Sequence, residues 1–196
     1  MVDYLFPPIA VELGDVDTER LHLRRFRSPD LVALATVFAQ PEVWRFPYGR
    51  AFNLDETAQF LTNQIDHWDT CGFGCWLAIH RPTQRVIGYV GLSVPMFLPE
   101  ILPAIEVGWR LDPSFWGQGL ATEGADAALR EAFETLQLPQ VTSVPQADNP
   151  QSSRVCERLG MRLSRAVQIA ANERRGELEA LLYVMSRDDW LTQTCA

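Results

Sequence analysis

Phe115-Trp116-Gly117-Gln118-Gly119-Leu120-Ala121-Thr122-Glu123 joins an alternating segment to a helical one. Upstream, Ile105, Val107, Trp109 and Leu111 point one way and Glu106, Gly108 and Arg110 the other, the period of a strand. Downstream, Ala121, Ala125, Leu129 and Ala132 mark the buried side of a helix expected from about Gly119 to Leu136. Two glycines therefore turn a strand into a helix within a few residues. Glycine reaches backbone angles costly for other residues and lets a ligand approach the main chain. The N–H groups that open a helix have no partner inside it, and the helix dipole adds positive character. Such a turn predicts an anion site suited to a pyrophosphate, although a plain tight turn would also account for the glycines. The Gly-Lys-Ser/Thr ending of a P-loop is missing, as is the third glycine of a dinucleotide fingerprint.

Outward from this turn, strands and helices interleave. Arg20 to Arg25 reads as a first strand around Leu21 and Leu23, and Ser28-Pro29-Asp30 as a helix start with a capping serine. Asn53 with Glu56 resembles a capping box, and Ala58, Leu61, Ile65 and Trp68 form the stripe of the helix that follows, ended by Gly72 and Gly74. Phe73 to His80 and Val86 to Val94 form a hairpin; the second strand is almost wholly apolar, as expected of a central one. Pro95 to Pro103 carries too many prolines for a central strand, which leaves a lid, a dimer contact or a packed surface loop. Gln140 to Gln146 reads as a strand and Asn149-Pro150 as the start of a short helix stopped by Gly160. Arg162 to Ile169 and Glu177 to Ser186 form a last hairpin. The fold class is α/β (α+β): one domain over 1–196 with a mixed sheet flanked by helices, residues 1–17 forming a loose arm.

The chain of 196 residues is long enough for one continuous core. Its formal charge is −8, from 17 basic and 25 acidic residues, and every basic residue is an arginine. The absence of lysine excludes a lysine Schiff base, and the acidic balance argues against nonspecific nucleic-acid binding. Cys71, Cys75, Cys156 and Cys195 show neither a CxxC pair nor metal-ligand spacing with His22, His67 or His80, so no metal is expected and the thiols read as reduced, in the cytoplasm. Met1 to Ile9 does not read as a signal peptide, and no stretch has the ~20 apolar residues of a membrane span.

Four blocks together carry a resemblance. Glu106-Val107-Gly108-Trp109 through Trp116-Gly117-Gln118-Gly119-Leu120-Ala121-Thr122-Glu123 resembles the coenzyme-binding core of the GNAT acetyltransferases. The run Asn149-Pro150-Gln151-Ser152-Ser153-Arg154-Val155-Cys156-Glu157-Arg158-Leu159-Gly160-Met161 is similar to the family's second signature. Thr18 to Arg24 and Val86 to Leu92 resemble its first and third strands, and Trp116 is typical of the Rim-type branch, which includes the N-terminal acetyltransferases of ribosomal proteins. Met161 stands where an aromatic is commoner.

The resemblance implies a sheet of about seven strands splayed between the fourth and fifth, and acetyl-coenzyme A as cosubstrate. It implies that the amides of Gly117, Gln118, Gly119, Ala121 and Thr122, beside Trp116, hold the pyrophosphate. The strand through Trp109 and Leu111 would pair with the pantetheine arm, and an N–H near Trp109 would polarise the acetyl carbonyl. Glu106 is the candidate general base, against a reading as a solvent-facing or arginine-paired glutamate; Glu106→Gln should lower turnover most at low pH while leaving coenzyme affinity intact. Many members use a tyrosine near the second signature to protonate the thiolate. None lies there, and Ser152 is the candidate acid, or else a polar first-turn residue. Asn149 is a helix cap, a pantetheine contact, or both. Arg154 meets a coenzyme phosphate or sits exposed. Trp44, Phe46 and Tyr48 fall where the family builds its acceptor pocket, with core packing as the alternative. The expected partner is an amine, a small molecule or a protein N-terminus, with a homodimer possible; the rival is a noncatalytic acyl-coenzyme A binding module.

Overall fold

The computed structural model describes residues 11–194, so Met1 to Ile9 and Cys195 lie outside the described residues. Eight strands form one sheet: β1 (Val16–Asp17), β2 (Leu21–Arg24), β3 (Cys75–His80), β4 (Arg85–Ser93), β5 (Glu106–Leu111), β6 (Gln140–Ser143), β7 (Arg162–Ile169) and β8 (Leu178–Ser186). Their order is β1-β2-β3-β4-β5-β6-β8-β7. Helices α1 (Leu31–Phe38), α2 (Arg45–Tyr48), α3 (Leu54–Cys71), α4 (Leu120–Arg130), α5 (Pro150–Arg158) and α6 (Arg187–Thr194) accompany it.

The sheet holds one strand more than the sequence implied. The addition, β1, lies in the N-terminal arm and pairs Val16 with Leu23 and Asp17 with His22. Residues 11–17 are not loose: Leu13 is buried, its N–H donates to the Gly72 carbonyl at 3.0 Å, and the Trp76 indole donates to the Gly14 carbonyl.

The strand pairs are antiparallel except β5 with β6, which run parallel and meet at a single register pair, Glu106 with Thr142. Beyond that pair the two strands part. This is the expected splay, one label later because of β1. Ile105 gives its carbonyl to the Thr142 N–H at 2.8 Å, and strand alternation aims the main chain of Trp109 and Leu111 the same way, into the gap.

The Asn53–Glu56 capping box forms as the sequence predicts, and Gly72 ends α3 in the left-handed conformation. Ser28 is not a cap. It starts a short 3-10 turn in which the Arg27 N–H donates to the Asp30 carboxylate, which also pairs with Arg24. The long helix is α-helical only to Arg130; Glu131–Thr135 widens into a π turn closed by the Leu136 N–H on the Glu131 carbonyl. β6 stops at Ser143, because the chain turns toward α5 and only Gln146 bridges to Ala180. The sequence reading had no α6. Of its two apolar residues Trp190 is buried, packing on Phe133 with ring centroids 5.5 Å apart, and Leu191 is exposed.

The main core lies between α4, α5 and the sheet. A second cluster, Phe38, Trp44, Phe52 and Leu61 with Leu77 of β3, fills the space under α1 and α3. Residues 95–103 pack Leu98 and Ile101 onto β7 and β8 while Met96 and Phe97 stay exposed. Gly124 lets α4 press onto the sheet: a Cβ there would sit 2.7 Å from Val90 Cγ1 and 3.2 Å from Leu21 Cδ1. Gly124→Val should therefore overpack this contact and destabilise the fold by about 1–3 kcal/mol, read as a lower melting temperature.

Candidate active site

Gly117 and Gly119 have φ of 73° and 80°, the left-handed region, and between them the chain swings from β5 into α4. The first intrahelical bond is that of the Glu123 N–H to the Gly119 carbonyl. Among the described residues, nothing accepts from the N–H groups of Gly117 through Thr122. Gly119 is held from behind. The Glu123 carboxylate accepts from Thr18 Oγ1 at 2.6 Å and from Arg20 N and Nε at 2.7 Å each, while Arg20 Nη1 donates to the Gln118 carbonyl. Burial alone would raise the Glu123 pKa, but these donors outweigh it and hold the carboxyl below its usual range.

A cleft of about 610 Å³ opens beside this turn. It brings together Trp109, Leu111, Trp116, Gly117, Gly119, Ala121, Thr122, Asn149 and Ser152. Gln118 does not line it; its amide group turns back to donate to the Ser114 carbonyl, leaving only its backbone N–H near the site. No residue of 95–103 lines it either; Leu98 and Ile101 of that loop pack on β7 and β8 instead. The Trp116 indole donates to the Leu111 carbonyl at 2.8 Å, while nothing among the described residues is bound to the Leu111 N–H on the β6 side.

The lining fits an anionic, extended ligand. It carries Arg45, Arg110, Arg154 and Arg158 against Glu42 and Asp148, a reversal of the chain's negative balance. Thr122 Oγ1 is buried without a hydrogen-bond partner among the described residues. A Cβ at Gly117 would meet nothing within 4 Å, so the loop borders open space. Arg154 and Arg158 are exposed, and both reach the cleft wall.

Asn149 caps α5: its Oδ1 accepts from the Ser152 N–H at 3.3 Å, while its Nδ2 donates to Ser152 Oγ at 3.0 Å. Because that hydroxyl oxygen accepts, its own proton is left to donate toward the cleft. A tyrosine does come near α5, from β8 rather than from the signature. The Tyr183 hydroxyl donates to Glu157 at 3.4 Å, but the residue is buried and outside the cleft lining.

Glu106 lies outside the cleft lining, at the point where β5 and β6 part. Its Oε1 accepts from the Val144 N–H at 3.2 Å, a donor freed by the splay. Neither alternative from the sequence holds: the carboxylate is half-buried and pairs with no arginine among the described residues. Burial pushes its pKa up to about 7, against the opposing hydrogen bonds from Val144 and Ser93.

Arg110, not singled out by sequence, fastens the other cleft wall. Its guanidinium donates to the carbonyls of Val43 and Phe46, contacts the Tyr89 hydroxyl and lies 3.9 Å over the Trp44 ring. Trp44 is core, stacked on Phe52 at 3.7 Å, and Tyr48 packs on both; Phe46 alone of the three aromatics lines the cleft. A half-buried strand arginine demands partners, which was the available signal. Glu42 and Arg45 had none.

Residues 20–162 match the family described as Acetyltransferase (GNAT) domain. The chain belongs to the GNAT acetyltransferases, which are acyltransferase enzymes. It is 33% identical over 128 residues to the FsC-acetyl coenzyme A-N(2)-transacetylase of Aspergillus fumigatus, covering 62% of this chain and 53% of that one. The crystal structure of an acetyltransferase from Agrobacterium tumefaciens superposes with a TM-score of 0.71 at 29% identity, covering 92% of this chain and 98% of the other. The ribosomal-protein-S5-alanine acetyltransferase of Vibrio fischeri shares the fold, with a TM-score of 0.72 at 18% identity over 91% and 99% of the two chains.

Proposed function

We propose that this chain transfers the acetyl group of acetyl-coenzyme A to a primary amine by direct attack in a ternary complex. The observation that carries this reading is the run of unpartnered amides from Gly117 to Thr122 facing the same cleft as the Ser152 hydroxyl. Those amides take the pyrophosphate, with Thr122 Oγ1 beside them and the α4 dipole behind. The unpaired edge of β5 at Trp109 and Leu111 takes the pantetheine amides, and the Trp109 N–H polarises the thioester carbonyl.

The amine nitrogen forms its bond to the carbonyl carbon as the carbon–sulfur bond breaks. Glu106 receives the amine's proton, directly or through water, and Ser152 gives one to the departing sulfur and regains it from solvent. A route through an acetylated cysteine is disfavoured, because burial pushes the Cys75 and Cys156 thiols up to about 12 and raises Cys71 as well. Those three thiols are free, which fits a cytoplasmic setting, and no helix among the described residues is long and apolar enough to cross a membrane. The acceptor is a small-molecule amine or a protein N-terminus; one relative is named an N(2)-transacetylase and one structural neighbour a ribosomal-protein-S5-alanine acetyltransferase.

Thiol release from acetyl-coenzyme A over a panel of amines and N-terminal peptides tests the reading. Acceptor-dependent release is the expected result; coenzyme binding with no release on any acceptor would leave a binding module. In the same assay Ser152→Ala should lower kcat roughly 100-fold with KM for the coenzyme little changed, the low end of an acid's contribution.

A further inference from the structure

Gly108 sits between Glu106 and Arg110 on one face of β5 and pairs across the ladder with Gly91 of β4. Neither member of that pair has a side chain, and at Gly108 the face is left open. On one side stand Arg110 and Tyr89, on the other Glu106 and Ser93. A Cβ at Gly108 would meet nothing within 4 Å, and the residue is partly open to solvent. Its backbone is not in the left-handed region, so nothing in the local conformation requires glycine there. Gly91 differs: a Cβ would fall 2.6 Å from Cys75 Cα, and close packing explains it.

The gap also stays open. Arg110 is tied to Val43, Phe46 and Tyr89 and stacked on Trp44, and Glu106 is bound to the Val144 N–H. Neither neighbour is free to swing across. Resting on the acetyl-transfer reading above, we infer that the space over Gly108 is the berth of the acceptor's amine-bearing carbon. The missing side chain then sets how much branching that carbon can carry on its way to Glu106. Trp109, the next residue, puts the carbonyl-polarising N–H beside this berth while its side chain points to the other face.

The test uses two conjugates, carboxymethyl-coenzyme A joined through its carboxyl to methylamine or to alaninamide, whose amine-bearing carbon carries no substituent in the first and a methyl and a carboxamide in the second. Calorimetry on the wild-type chain should find coenzyme A and both conjugates bound. Gly108→Val, a substitution suited to a strand, should bind coenzyme A and the methylamine conjugate as before. It should lose roughly tenfold or more on the alaninamide conjugate, with Gly108→Ala falling between. Equal affinity of Gly108→Val for the two conjugates, with coenzyme A still bound, would overturn the inference and leave acetyl transfer standing. No binding of coenzyme A by the wild-type chain would instead overturn the reading on which it rests. Unaltered coenzyme A affinity in the variants also verifies their fold.

Discussion

Gly119→Val is expected to weaken acetyl-coenzyme A binding on the order of 100-fold or more, while the protein still folds. At φ 80° an L-residue pays about 1–2 kcal/mol, and a β-branched one more, so the loop would leave this conformation. The nearest atom to a new Cβ is Arg20 Nη2 at 3.6 Å, ordinary contact, so the effect comes through the backbone rather than through crowding. Once the loop relaxes, the amides from Gly117 to Thr122 no longer converge. Each hydrogen bond to a charged group contributes about 1.5–3 kcal/mol, and losing two gives about 3–6 kcal/mol. At 1.4 kcal/mol per tenfold, that is the quoted loss. Isothermal titration of the variant checks it, and wild-type affinity would mean that the turn does not hold the coenzyme.

Glu106→Gln is expected to lower kcat/KM by about 100-fold or more near pH 8, and by progressively less below pH 7. Burial reverses the pH dependence that an ordinary carboxylate would give. With a pKa of about 7, the wild-type residue is largely protonated at pH 6 and is a competent base only above 7. An acceptor with the usual α-amino pKa of about 8 is mostly protonated at pH 7 and still about half protonated at pH 8, so a base is needed through this range. The wild-type profile should rise through about pH 7 and the variant should lack that rise. Stability supplies an independent readout. The folded pKa lies above the unfolded value of 4.5, so ionisation opposes folding; wild-type stability declines as pH rises from about 4.5 to 7 and the variant is spared that decline. Glutamine keeps an oxygen for the Val144 N–H, so the splay should survive. Parallel pH profiles for the two proteins would remove Glu106 from the mechanism.

The features legible in the sequence depend on local chemistry. The glycine turn, the Asn53–Glu56 box, the Asn149 cap and the alternation of β5 each place their signal within a few residues, and each forms as read. The features that were not legible depend on contacts distant in the chain. β1 is two residues long and exists because Leu23 and His22 offer an edge. α6 has one apolar anchor, and Ser28 loses its capping role to an aspartate that Arg24 also recruits. In the site, the alternation put Glu106 and Arg110 on one face, but not that a freed amide from β6 would bind the first. Nor did it indicate that two carbonyls of the 43–46 segment would bind the second. Ser152 and Asn149 were placed by their signature; that one orients the hydroxyl of the other required coordinates.

The most direct measurement follows the backbone amide resonances of Gly117 to Thr122 by heteronuclear NMR during titration with coenzyme A and, separately, with inorganic pyrophosphate. Large shifts confined to these amides and their neighbours, shared by the two ligands and saturating with coenzyme A, are the predicted result. Coenzyme A binding that leaves these resonances in place would contradict the account at its root.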